Sequence, residues 1–143
     1  MTSKIYHSNS ESATIKTATD FAKTLVNGDI VCFYGNLGAG KSVFARAVIR
    51  ALCKDIELVV PSPTFTLVQM YDAPDYPVWH FDLYRLEDEQ EIYEIGWEEA
   101  LGDGIVLVEW PARLGALMPK KTKNVRIKIE VGEDDRRVIA IDG

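Results

Sequence analysis

Short continuous apolar runs alternate with apolar stripes at helical spacing along this chain, the pattern of strands buried on both faces interleaved with helices. After an extended start at Lys4-Ile5-Tyr6-His7, the positions Ile15, Ala18, Phe21, Ala22 and Leu25 predict a helix from about Ala13 to Val26, stopped by Asn27-Gly28-Asp29. Ile30-Val31-Cys32-Phe33-Tyr34 reads as a strand and Val43 to Leu52 as a helix. A short strand is expected over Glu57 to Val60. Pro61-Ser62-Pro63-Thr64-Phe65 then carries too much proline for a helix or a central strand and is read as a loop of restricted freedom. Thr66 to Tyr71 resumes as a strand, Asp72 to Pro77 forms a hairpin turn, and Val78 to Tyr84 is an aromatic strand. Glu87 to Leu101 holds one or two short helices before Gly102-Asp103-Gly104. Ile105-Val106-Leu107-Val108 is apolar throughout, as a strand of a parallel sheet is, and it runs into Glu109-Trp110-Pro111. Val125 to Val131 and Arg137 to Ile141 flank Gly132-Glu133-Asp134-Asp135 as a C-terminal antiparallel hairpin.

Between the first apolar strand and its helix lies Gly35-Asn36-Leu37-Gly38-Ala39-Gly40-Lys41-Ser42, which meets the P-loop pattern G-x-x-x-x-G-K-[ST] at every required position. Glycines let the backbone wrap a polyphosphate with its N–H groups inward, the lysine reaches the β- and γ-phosphates, and the serine hydroxyl ligates Mg2+. A coincidental glycine turn is the competing reading, and the strand before and helix after the motif weigh against it. The expected fold is therefore a three-layer α/β P-loop NTPase domain, with a mainly parallel sheet, added antiparallel strands and helices on both faces. The order of the strands is not legible in the sequence.

With 143 residues, the chain fits a single domain over 1–143, and 47% hydrophobic with 27% charged residues is ordinary for a soluble protein. No apolar stretch spans a bilayer and no signal-like segment opens the chain, so a cytoplasmic location without membrane contact is expected. Cys32 and Cys53 stand far apart, outside any C-x-x-C, and are read as buried, reduced structural thiols. A net charge of −6 argues against a broad nucleic-acid surface. Lys120, Lys121, Lys123 and Arg126, and Arg136 with Arg137, are local basic spots of the kind usually found solvated.

A nucleotide site needs oxygen ligands for a metal opposite the P-loop. Glu109 closes an apolar strand as a Walker-B acid does, placed to hold Mg2+ directly or through water, and Asp82 ends another central strand, where it could hold a metal-bound water. Either could instead simply mark the end of a strand. Thr64 follows the P-loop helix in the chain order at which GTPases keep a threonine that senses the γ-phosphate, and a proline-shaped turn with a capping hydroxyl is its alternative. Trp110 is a core aromatic or a neighbour of the site. His80, in the aromatic strand, is read as a satisfied core histidine before a catalytic base.

Taken together, the P-loop, Ser62-Pro63-Thr64-Phe65-Thr66-Leu67, His80-Phe81-Asp82-Leu83-Tyr84-Arg85-Leu86 and Val108-Glu109-Trp110-Pro111 resemble the TsaE (YjeE) family in order and spacing, over about residues 10 to 118. The resemblance implies an ATPase required for threonylcarbamoyladenosine formation on tRNA. Its partners are TsaB and TsaD, which carry out the transfer while ATP hydrolysis sustains their turnover, and tRNA is met indirectly. It also implies ATP and Mg2+ as cofactors, with Gly35, Asn36, Leu37, Gly38, Ala39, Gly40 and Lys41 around the phosphates and Ser42 with Glu109 on the metal. Asp82 supports metal or water, Thr64 acts in a switch-like loop, Trp110 lies at the nucleotide or partner surface, and Glu11 to Thr14 lie near the adenine. The chain departs from the family at Ser42-Val43, where the usual reading is Thr-Thr; the loss of the second hydroxyl is expected to weaken nucleotide binding without abolishing it.

A small-molecule kinase is the alternative. It needs a lid with arginines around the transferred phosphate, and Glu109 to Pro119 offers only Arg113. A GTP switch would carry an Asn-Lys-x-Asp guanine signature, which does not occur in this chain.

Overall fold

The computed structural model of the chain describes residues 3–130 and 132–143. In chain order the elements are β1 (Lys4–Ser8), α1 (Glu11–Ala22), β2 (Ile30–Tyr34), α2 (Lys41–Leu52), β3 (Val68–Asp72), β4 (Pro77–Asp82), α3 (Glu91–Glu94), α4 (Trp97–Gly102), β5 (Ile105–Glu109), a 3-10 helix (Pro111–Leu117), β6 (Lys123–Glu130) and β7 (Glu133–Asp142). The strands form one seven-stranded sheet in the order β1-β7-β6-β2-β5-β4-β3. Its centre, β6-β2-β5-β4, is parallel, and β3, β7 and β1 pair antiparallel on the two flanks. This is the expected α/β architecture with its strand order supplied.

Side chains alternate across a strand, so the central strands feed two cores at once. Val31 and Phe33 of β2 and Ile105 and Leu107 of β5 join Phe21, Phe44, Val48 and Ile49 beneath α1 and α2. Cys32, Val106 and Val108 face the other way, with Phe81 of β4, onto Ile92, Trp97, Ala100 and Leu114 from α3, α4 and the 3-10 helix. Phe44 packs its ring 5.9 Å from Phe21 and 5.8 Å from Phe33, and Phe81 meets Trp97 edge-on at 5.2 Å. Helix α1 starts where the Ser10 side chain accepts from the Ala13 N–H at 3.1 Å, two residues earlier than its apolar stripe predicts.

The expected strand over Glu57 to Val60 does not form. A strand exists only by pairing, and this stretch has its backbone engaged elsewhere: Arg50 Nε donates to the Leu58 carbonyl at 2.9 Å and the Glu57 N–H donates to the Asp55 carboxylate at 3.0 Å. Ile56 just before it and Val59 within it are 85% and 79% exposed, apolar residues with no sheet to enter. The C-terminal hairpin is present, with its second strand longer than Arg137 to Ile141. Val131, the expected end of the first, lies outside the described residues. Cys53 is half-buried where full burial was expected. No helix among the described residues is long and apolar enough to cross a membrane.

Cys32 sits in the middle of β2 with no exposed surface, and burial pushes its thiol up to about 11, a hydrogen bond with Thr122 pulling back slightly. A pKa raised in the folded state makes the unfolded chain lose its proton first, so this stabilisation is intact below pH 9.0 and is lost as pH rises toward about 11. Urea titrations of wild type and Cys32→Ala are expected to show a stability gap that shrinks across that window. A gap independent of pH would contradict the assignment.

Candidate functional site

The parallel strands β2, β5 and β4 all end at one edge of the sheet, and the crevice beyond such carboxyl ends is where α/β sheets bind ligands. Their register aligns Phe33 with Glu109, and Glu109 with Asp82. Odd-numbered positions of β5 and even-numbered positions of β4 share the face beneath α2, so Glu109, Asp82 and His80 all point toward the helix that begins at Lys41. The loop between β2 and α2 is the P-loop. Gly38 and Gly40 take φ of +81° and +113°, and a methyl group built on either would meet nothing within 4 Å, so the loop is an open cradle of backbone in a conformation that other residues adopt only under strain.

Lys41 is 5% exposed. Its Nζ donates to the Gly35 carbonyl at 2.6 Å and sits 3.5 Å above the centre of the Trp110 ring. Burial lowers its pKa below the ordinary lysine value, while the carboxylates of Glu109 and Asp82 raise it part of the way back. The Ser42 hydroxyl stands 3.5 Å from Glu109 Oε1, longer than a good O–H···O bond. Two hard oxygens so placed suit Mg2+, which takes one or two protein oxygens beside substrate phosphates and needs no protein cage. No cluster of three or more metal-binding side chains of the His, Cys, Asp and Glu type occurs among the described residues.

Asp82 is held differently. Its Oδ2 accepts from the Thr64 hydroxyl at 3.1 Å and its Oδ1 from the Tyr84 N–H at 3.1 Å, while Thr64 shares a second hydrogen bond with Ser62 at 2.8 Å. The Pro61–Leu67 loop is thereby fastened to the end of β4, and the Asp82 N–H donates to the Leu67 carbonyl at 2.9 Å. Trp110 stands next to Glu109 with φ 60° and ψ 51°, a left-handed backbone that a bulky residue rarely takes. Tyr84 packs against its ring at 4.9 Å. All the residues read from the sequence as site residues thus converge on the mouth of the P-loop.

Two further residues join them. His80, read as a core histidine, is buried, and its Nε2 lies 2.7 Å from Glu109 Oε2. Arg137, read as part of a basic spot, donates from Nε to the Ala39 carbonyl of the P-loop at 2.8 Å. The signal for His80 was present, since it stands two residues before Asp82 and shares its face. Nothing local marks Arg137, which arrives from β7. A cleft of about 270 Å³ lies between the start of α1 and the P-loop, lined by Ser10, Glu11, Thr14, Val43 and Arg137 with the loop backbone.

A family profile described as "Threonylcarbamoyl adenosine biosynthesis protein TsaE" matches residues 8–139. The tRNA threonylcarbamoyladenosine biosynthesis protein TsaE of Rickettsia bellii is 40% identical over 133 residues, covering 93% of this chain and 90% of that protein. The protein of the same name from Bacillus subtilis is 36% identical over 127 residues, covering 88% of this chain and 75% of its own length. The crystal structure of Bacillus subtilis YdiB superposes with a TM-score of 0.79 at 26% identity, over 98% of this chain and 84% of that one. The chain belongs to the TsaE family.

The lowered pKa of Lys41 makes its charge a burden on the folded state at neutral pH, one that shrinks as pH climbs toward 10.5 and the amine sheds its proton. Lys41→Met is expected to unfold at a higher temperature than wild type at pH 7 without nucleotide, the gap narrowing by pH 10. Thermal scans in which the variant melts at or below the wild type would refute this.

Proposed function

We propose, with membership of the TsaE family as premise, that this chain is a Mg2+-dependent ATPase acting in tRNA threonylcarbamoyladenosine biosynthesis. Homologues of TsaB and TsaD are its partners, tRNA is met through them, and the setting is cytoplasmic. The observation that carries the reading is the convergence of Lys41, Ser42, Glu109, Asp82 and Thr64 on one open P-loop. Phosphoryl transfer asks little covalent chemistry of a protein; positioning and charge stabilisation carry it. Lys41 exchanges its Gly35 and Trp110 contacts for phosphate oxygens, and the P-loop N–H groups hold the rest of the chain of phosphates. Bound Mg2+ would neutralise charge between the phosphates, held by Ser42 and Glu109. Asp82 orients water from the end of β4, and Thr64, now bonded to Asp82, is the hydroxyl free to exchange that partner for nucleotide. The cleft lined by Glu11 and Thr14 lies where the nucleoside would extend from the loop. Val43 presents only methyl groups to that cleft, which fits weaker binding with activity retained.

The kinase alternative receives no comparable support. Arg85 stacks 4.4 Å from the Phe65 ring and Arg137 is bound to the P-loop carbonyl, so neither reads as a lid arginine waiting for a transferred phosphate. Docking on the partner complex is expected to order the Thr64 loop and complete the site, which makes hydrolysis slow in isolation.

The test is tRNA threonylcarbamoylation by purified TsaB and TsaD supplied with threonylcarbamoyl adenylate, followed over many turnovers. Wild type with ATP is expected to sustain turnover, while Lys41→Ala and Glu109→Gln fall by about 100-fold, the scale of losing one preorganised charge-stabilising group. Equal turnover with wild type, with Lys41→Ala and with no added protein would overturn the proposal.

A further inference from the structure

We propose that His80 is a positioning residue that holds the Glu109 carboxylate with one oxygen toward the metal site; the inference rests on the Mg2+ reading above. His80 and Glu109 are each 2% exposed, and the imidazole Nε2 lies 2.7 Å from Glu109 Oε2. The other carboxylate oxygen, Oε1, is the one that faces Ser42, at 3.5 Å. Adjacent strands produce this division: Asp82 pairs with Glu109 and His80 with Leu107, so the ring lies one pleat behind Asp82 and beside the Glu109 side chain.

Against an ionised carboxylate, which accepts only, the ring nitrogen that meets Oε2 is the donor, so Nε2–H donates. The other ring nitrogen, Nδ1, is buried with no hydrogen-bond partner among the described residues. An imidazole packed for stability alone gains little from such a site, because an orphaned buried polar atom opposes folding. Its hydrogen bond to Glu109 is what the arrangement secures. A carboxylate at the end of a strand can otherwise turn about its side-chain bonds and point both of its equivalent oxygens away from Ser42. With one oxygen engaged by a buried ring, the other stays toward Ser42, so the pair of metal-facing oxygens is set before any ligand arrives. Partners of ligating carboxylates act in this way, and their loss commonly lowers metal affinity by about 10–100-fold.

His80→Leu removes the donor, and His80→Gln keeps an N–H at similar reach. Binding of a fluorescent, non-hydrolysable ATP analogue is measured in EDTA and then titrated with Mg2+, with circular dichroism as the check on folding. His80→Leu is expected to need about 10-fold more Mg2+ for half-maximal effect while its affinity in EDTA stays at the wild-type value, and His80→Gln should recover most of the loss. A Mg2+ response in His80→Leu equal to wild type, or equal losses with and without Mg2+, would overturn the proposal and leave the ATPase reading standing. A wild type that binds nucleotide with no response to Mg2+ would overturn both. Should His80→Leu fail to fold, nitrogen NMR of the wild-type ring decides: a proton on Nε2 that responds to Glu109→Gln is expected, and a ring protonated on Nδ1 alone would refute the proposal.

Discussion

The parallel register of β2, β5 and β4 is the constraint on which the rest depends. Because successive side chains point to opposite faces, one register places Ile105 and Leu107 in the core beneath α1 and α2 and, by the same count, brings Glu109 out beneath the start of α2. A slip of one residue would send Glu109 into the second core with Trp97 and Ile92 and would turn Val108 toward Ser42. Burying apolar side chains contributes roughly 1.5–3 kcal/mol each, so the four apolar positions of β5, each fitted to its own core, make such a slip costly. The hydrophobic effect therefore sets the chemistry: the force that closes the sheet also aims the carboxylate.

The site is assembled at the expense of that force. Apart from the Cys32 thiol in the middle of β2, Lys41, His80, Asp82 and Glu109 are the buried charged or titratable groups among the described residues, and all four stand around the P-loop. Elsewhere the interior is apolar or small, apart from the Ser8–Thr14 hydroxyl pair that joins β1 to α1 at 2.6 Å. Trp110 adds a left-handed backbone at the end of β5. Concentrating buried polarity and strain in one place, while two well-packed cores supply stability, is the usual arrangement where function and stability compete.

Legibility in the sequence followed the range of each interaction. The P-loop, the strand-ending Glu109 and Asp82 and the proline-bounded Thr64 are local patterns, and each lies at the site. The Glu57 to Val60 stretch misled because β propensity describes a fit to a neighbouring strand, and here Val60 packs into the core and Arg50 takes the Leu58 carbonyl with no strand alongside. His80 and Arg137 were undervalued for the opposite reason. Their partners lie 29 and 98 residues away, and only the sheet order, with β6 and β7 folded back beside β2, shows that a histidine meets Glu109 and an arginine meets Ala39.

Long-range contacts of this kind also explain how the site can respond as a unit. Arg137 ties the P-loop to β7, Thr64 ties its own loop to Asp82, and His80 ties Glu109 to β4. Lys41 rests on the loop's own Gly35 carbonyl and on the Trp110 ring. On the proposed reading, a phosphate must win Lys41 from those two contacts, so nucleotide affinity is a difference between two sets of interactions and not the sum of the new ones. When Lys41 leaves Trp110, that ring keeps Tyr84 as its neighbour at 4.9 Å.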